Sequence, residues 1–129
     1  MPNHFHIFLK RTTDEFSISL LISSLLNSYV KSMNQKYEHS GTLFGSKTKS
    51  KQIEDETYFI WVIKYILENP IKAHLAENIY DWEFSNAKDL VGLRKGNLTE
   101  VKYVESFFQS RETMIKFLMD KKINVVYDF

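Results

Sequence analysis

Residues 56–70 read ETYFIWVIKYILENP, and this stretch decides which fold the rest of the chain can build. Apolar side chains occur nearly all round its helical repeat, which is typical of a helix that is buried on most sides. Asp55 or Glu56 places a negative charge at the N-terminal, positive end of the helix dipole. Pro70 predicts that the helix ends at about Glu68. The sequence therefore predicts a central, buried helix.

One face of this helix carries residues spaced three or four apart, namely Tyr58, Val62, Tyr65 and Asn69. A tyrosine is a poor nucleophile at neutral pH because its phenol has a pKa of about 10, so it needs a base or a metal-polarised phosphate. From these residues alone, Tyr65 is either an assisted nucleophile or an ordinary core aromatic. Asn69, in the last turn before a proline, can serve as a C-terminal cap.

The segment His4–Lys10 alternates in the pattern of a β-strand. This alternation places His4 and His6 on the same face. Two imidazoles side by side can give a divalent ion two nitrogen ligands and leave positions open for substrate oxygens. Ordinary exposed or hydrogen-bonded histidines are the alternative. Pro2-Asn3 is typical of a turn, and we expect it to form the tip of a hairpin whose first strand is lacking.

A lysine-rich segment, residues 46–53, alternates lysine with small polar residues. If it is extended, Lys47, Lys49 and Lys51 share one face of a strand or ribbon. They either contact phosphates or discourage aggregation at a solvated strand edge, and the two readings have equal weight.

The other predicted elements are helical. Thr12-Thr13-Asp14 can cap a long amphipathic helix that extends to about Glu38. The later helices are predicted over Ser85–Val91, closed by Gly92, and over Thr99–Phe108 and Arg111–Lys121, opened by Thr99 and Ser110. Residues 123–129 form either a strand or a tail. We divide the chain into an N-terminal core over 1–80 and a C-terminal helical extension over 81–129.

Composition limits the class of protein, its partners and its location. The chain has 129 residues, 43% of them hydrophobic and 15% aromatic, which is enough for one packed core. Seventeen basic and sixteen acidic residues give a net charge near zero, so the overall electrostatic field does not indicate a nucleic-acid partner. A nucleic-acid-binding surface would have to be a local basic patch. The absence of cysteine excludes disulfides and thiolate metal sites. No signal peptide or membrane span is evident, so we expect a soluble protein, by default cytoplasmic.

Taken together, several motifs resemble, in order and spacing, the REP-associated tyrosine transposases of the single-tyrosine HUH superfamily. The matching stretches are Met1–Leu9, Tyr29–Tyr37, Ser40–Phe44, Lys49–Glu56, Tyr65–Ala73, Trp82–Ser85 and Leu90–Leu93. The resemblance covers residues 1 to about 121, and the combination is highly specific.

This resemblance implies an α+β fold, a truncated ferredoxin-like domain that is predominantly helical with a small antiparallel sheet remnant. It also implies a metal-dependent endonuclease and strand transferase that acts on single-stranded or hairpin DNA and needs no nucleotide cofactor. By analogy Tyr65 is the nucleophile that forms a 5′-phosphotyrosine link. His4, His6 and Asn69 are the implied ligands of magnesium or manganese.

Two departures from the family bear on activity. Family members carry a strand, a helix and a second strand before the Pro-Asn-His turn, and this chain lacks them. It also has Ser46-Lys47-Thr48 where the family has an arginine and an aromatic residue. The uncovered strand edge predicts one of three situations: a second copy pairs there, an upstream reading frame supplies the strands, or the chain is a decayed fragment with a marginal fold. The alternatives are a truncated DNA-hairpin-binding module without catalysis and, last, a purely structural helical domain.

Overall fold

The computed structural model describes residues 4–120, and its regular secondary structure there is helical. The helices are α1 (Ile18–Lys36), α2 (Glu56–Lys72), α3 (Ala87–Leu90), α4 (Val101–Glu105) and α5 (Arg111–Met119). These residues contain no strand and no sheet. The predicted ferredoxin-like α+β fold with an antiparallel sheet is therefore wrong. The alternatives for residues 123–129 concern a segment outside the described residues.

The two predicted strands are irregular segments. Neither residues 4–10 nor residues 47–53 form a ladder with another part of the described chain. Alternating side chains are compatible with a strand, but a strand exists only when a neighbour accepts and donates its backbone hydrogen bonds. The expected pairing of two copies through His4–Lys10 stays a prediction, because a ladder with a second copy does not appear in a single chain.

The described chain divides into two compact units, one of residues 8–51 and the other of residues 4–7 and 52–120. The first unit contains α1, and none of the nineteen residues of this helix is buried. The second contains the other four helices. None of the helices in the described range combines the length and apolar character needed to cross a bilayer. The proposed division at residue 80 stays a prediction.

Helix α2 is the centre of the second unit, as its sequence predicts. Its N-terminus is capped by Asp55, whose Oδ1 accepts a hydrogen bond of 2.6 Å from the backbone N–H of Tyr58. The core packs three α2 side chains against residues of the following segments; its members are Phe59, Ile63, Leu67, Ile79, Ala87, Leu90, Met114 and Leu118. A single apolar cluster thus holds α2, α3 and α5 together.

The end of α2 differs from the prediction. The helix passes through Pro70, which is buried, and continues to Lys72. Proline has a helical φ and removes only one backbone N–H, so packing of its ring can offset the loss. The helix ends where Ala73 donates to the carbonyl of Asn69 at 3.0 Å and His74 adopts a positive φ of 57°. The extra turn brings Lys72 onto the same helix as Tyr65.

The C-terminal helices are held by local polar contacts. Ser110 caps α5 as predicted, since its side chain accepts from the N–H of Thr113. Thr99 caps no helix, because α4 begins after Glu100 and the Thr99 hydroxyl donates instead to Asp89 at 3.0 Å. Asp89 also accepts from Arg94 Nε at 2.8 Å, so this buried carboxylate joins the loop after α3 to the start of α4.

Candidate active site

His4, His6 and Tyr65 lie together in the second unit. The rings of His4 and His6 meet edge to face with centroids 5.2 Å apart. The ring of His6 meets Tyr65 in the same manner at 6.1 Å. The segment that carries the histidines is irregular rather than a strand, yet it brings His6 into contact with Tyr65 on α2 and keeps His4 beside His6.

The surroundings of His6 favour its neutral ring. Partial removal from water lowers the pKa of His6, and the adjacent His4 lowers this pKa further. Only a neutral imidazole has a lone pair for a metal ion, so a lowered pKa extends the metal-binding capacity of His6 to lower pH. Imidazole nitrogens are among the ligands that divalent ions accept.

Asn69 lies one helical turn after Tyr65, and its side-chain Nδ2 is buried without a hydrogen-bond partner among the described residues. The oxygen and nitrogen of an amide can exchange places by a rotation, so this end of the side chain can also present an acceptor. A buried amide without a partner is unusual and is consistent with a third ligand or a substrate contact.

Acidic ligands do not complete the set. In the range 4–120, no three His, Cys, Asp or Glu side chains cluster closely enough to hold an ion. A metal at this site would therefore rest on His4, His6 and the Asn69 amide, leaving the other coordination positions to substrate or water.

Tyr65 has a second neighbour, which the sequence analysis did not assign to the site. The Lys72 ammonium lies over the Tyr65 ring, 5.1 Å from its centroid. The same ammonium lies 3.6 Å from Glu68 Oε2. The missed signal is the spacing of seven residues between Tyr65 and Lys72, which places them on one helix face. It was overlooked because the helix was predicted to end at about Glu68.

The predicted DNA-binding lysines belong to the other unit. Lys47, Lys49 and Lys51 are all exposed in the irregular segment that precedes α2. Without a ladder, nothing imposes the common strand face on which the prediction relied. Their role in DNA binding stays a prediction.

Comparison with known proteins adds no assignment: no protein-family model, curated protein or solved structure matches this chain.

Proposed function

We propose that this protein is a single-stranded DNA endonuclease and strand transferase of the tyrosine HUH transposase type. The observation that carries the proposal is the contact of His6 with Tyr65, together with the contact of His4 with His6. Two imidazoles beside a helical tyrosine form an arrangement suited to phosphodiester chemistry. The motif resemblance supports the same reading, because it singles out these three residues.

In the proposed reaction, the phenolic oxygen of Tyr65 attacks the scissile phosphorus. The bond between phosphorus and the 3′-oxygen breaks, a 5′-phosphotyrosine forms, and the departing oxygen takes a proton to become a 3′-hydroxyl. The phenolic proton passes to water. Attack by a DNA 3′-hydroxyl on the phosphotyrosine reverses these steps, so the phosphodiester bond energy is conserved and no nucleotide cofactor is required.

The residues present divide the remaining tasks. His4, His6 and Asn69 would hold magnesium or manganese, which supplies Lewis-acid polarisation of a non-bridging phosphate oxygen. The lowered pKa of His6 keeps its imidazole available as a ligand at neutral pH. Tyr65 is half-buried on α2, so its ring direction is set by helix packing rather than by solvent.

A second candidate is a DNA-hairpin-binding module without catalysis. It is favoured by one observation, the exposure of Lys47, Lys49 and Lys51 in the segment before α2. Under this alternative the exposed lysines bind DNA and no covalent link to Tyr65 forms.

Covalent trapping tests the proposal. The full chain is incubated with labelled hairpin DNAs that carry single-stranded flanks, in the presence of manganese, and denatured complexes are separated by gel. We expect an adduct that Tyr65→Phe abolishes and that chelation of the metal prevents. Tyr58→Phe is the matched control, since Tyr58 lies two turns earlier on α2 and should leave the adduct intact. An adduct that persists in Tyr65→Phe would refute the assignment, and DNA binding without any adduct would favour the second candidate.

A further inference from the structure

A row of charged residues follows one side of α2 at intervals of four. Lys64 Nζ lies 3.0 Å from Glu68 Oε1, and Lys72 Nζ lies 3.6 Å from Glu68 Oε2. The two oxygens of one carboxylate thus contact two different lysines.

The first lysine of the row is anchored in the core. The Lys64 side chain has no exposed surface, and its ammonium donates to the carbonyls of Phe117, Leu118 and Asp120 at 2.8, 3.3 and 2.7 Å. These carbonyls belong to the last turn and end of α5, and that of Phe117 also accepts from the backbone N–H of Asp120 at 3.4 Å. Lys64 is therefore held on all sides, and it holds Glu68 in turn, whose side chain is 11% exposed.

The last lysine of the row differs because solvent reaches it. The Lys72 side chain is 38% exposed, yet its ammonium is restrained by Glu68 and by the ring of Tyr65. An exposed lysine loses considerable rotamer entropy when it binds a ligand. A lysine that is already restrained beside the ligand position loses less, so the contact is stronger.

We propose that Lys72 binds a backbone phosphate of single-stranded DNA beside Tyr65, and that Glu68, fixed by Lys64, positions the Lys72 ammonium. The inference rests on the proposed function, since it names the DNA contact next to the nucleophile. The Lys72 ammonium lies over the ring of the proposed nucleophile and is reached by solvent, so a phosphate oxygen beside Tyr65 can accept a charge-assisted hydrogen bond from it. Lys64 stabilises the fold, whereas Lys72, at the solvent-exposed end of the row, binds the DNA.

The test measures DNA binding without cleavage and without metal. Every protein carries Tyr65→Phe, which keeps the ring beneath Lys72 and removes the phenolic oxygen, and the buffer contains a chelator. Affinity for fluorescein-labelled oligothymidylate is measured by anisotropy over a series of salt concentrations. The slope of log affinity against log salt reports the number of phosphate contacts, at about 0.7 per contact on single strands.

We expect Lys72→Gln to weaken binding and to make the slope shallower by about 0.7. Lys72→Arg keeps the charge and should retain most of the slope. Lys116→Gln is the matched control, an exposed lysine on α5 in the same unit, and should leave the slope unchanged. A salt slope for Lys72→Gln equal to that of its parent would overturn the inference.

Glu68→Gln tests the positioning role. The glutamine oxygen can still accept from Lys64, but the charge that restrains Lys72 is removed. We expect weaker DNA binding with an unchanged slope, because the phosphate contact persists and only its preorganisation is lost. Unchanged affinity in a variant whose thermal unfolding is cooperative would overturn this role.

The two proposals fail in different ways. If Tyr65-dependent adducts form but Lys72→Gln leaves the salt slope intact, the nucleophile stands and the Lys72 contact is wrong. If the slope changes but no adduct forms with any hairpin, Lys72 binds DNA and the endonuclease proposal is wrong.

Discussion

Helices α1 and α2 are similar in length, with 19 and 17 residues, but they relate to the protein interior in opposite ways. No residue of α1 is buried, and side chains such as Leu20 and Leu25 are 73% and 51% exposed. Seven residues of α2 are buried, among them a lysine and a glutamate. An apolar stripe in the sequence is therefore not enough to predict burial, which depends on partners elsewhere in the chain.

The same difference in burial determines how much an ion pair can stabilise the fold. In the first unit, Arg11 and Asp14 form an ion pair at 3.1 Å, but Asp14 is 99% exposed and water competes with the contact. In the second unit, the pair of Lys64 and Glu68 is shielded from water and tied to α5. Five predictions test this comparison.

The largest effect is expected from breaking the buried pair. Glu68→Ala leaves the Lys64 ammonium buried without its carboxylate, which should lower the free energy of unfolding by about 3–5 kcal/mol. Asp14→Ala, at the exposed pair, should cause no measurable change. Urea unfolding followed by circular dichroism gives both values. Equal effects of the two variants would show that the Lys64–Glu68 pair is not shielded.

Core truncation sharpens the same contrast. Leu67 is 2% exposed on α2, and Leu67→Ala should cost about 2–5 kcal/mol because it removes apolar contacts and leaves a cavity. Leu25→Ala on α1 removes a side chain that is already half exposed to water. Its loss of unfolding free energy should be well below that of Leu67→Ala. Midpoints of urea unfolding at unchanged slope report the two costs. A larger loss for Leu25→Ala would mean that α1 is covered in solution.

Acid unfolding tests the buried carboxylate of the second unit. The hydrogen bonds from the Arg94 guanidinium, and then the hydroxyl of Thr99, lower the pKa of Asp89 despite the opposing effect of its burial. Because the pKa of Asp89 is lower in the folded state, its ionised form stabilises the fold at pH values above the unfolded-state pKa of about 3.8. This stabilisation is lost as the pH falls through the folded-state pKa of Asp89.

Asp89→Asn should therefore lower the free energy of unfolding by about 1.5–3 kcal/mol at neutral pH, the range for hydrogen bonds to charged groups. The difference in free energy of unfolding between wild type and variant should stay constant down to about pH 5 and decrease below pH 3.8. Denaturant titrations at several pH values measure it. A gap that widens in acid would contradict the assigned direction.

A smaller effect is expected at the helix starts. Asp55 caps α2 with a side-chain hydrogen bond, whereas Ser17 precedes α1 with no such bond among the described residues. Asp55→Ala should cost about 1 kcal/mol, and Ser17→Ala a few tenths at most. Thermal unfolding of the two variants provides the comparison. A cost for Ser17→Ala as large as that for Asp55→Ala would indicate a cap that forms in solution.

The last prediction leaves stability unchanged and concerns DNA. Replacing Lys47, Lys49 and Lys51 together by glutamine should reduce DNA affinity and flatten its salt dependence, by up to about 2 units of slope for three single-strand contacts. These residues are exposed, so the unfolding midpoint should not move. Anisotropy over a salt series measures the slope. A slope identical to that of wild type would leave these lysines as solvated surface.

The sequence was informative about local features. The start of α2 next to Asp55, the central burial of α2 and the capping role of Ser110 are confirmed, because a cap needs only a side chain three residues from an unpaired N–H. Thr99 has the same chemistry but donates to Asp89, a residue ten positions earlier. The neighbouring sequence does not distinguish Ser110, which caps a helix, from Thr99, which does not.

Features that depend on distant partners were not predictable in this way. The alternation at His4–Lys10 indicated a strand, but no described segment lies alongside to form the ladder. Pro70 indicated a helix end, but packing of its buried ring carries α2 on to Lys72. Both errors have one origin: local preferences of about 1–3 kcal/mol are overridden by tertiary packing.

By itself, the sequence determined the central helix, its start, and the candidate residues His4, His6, Tyr65 and Asn69. Only the tertiary structure decided that the His6 ring reaches Tyr65, that Lys64 is buried at the end of α5, and that Lys72 lies over the Tyr65 ring. The physical reason is that helix periodicity and capping are short-range properties of the chain. Burial and charge pairing, by contrast, depend on which distant residues exclude water from a side chain.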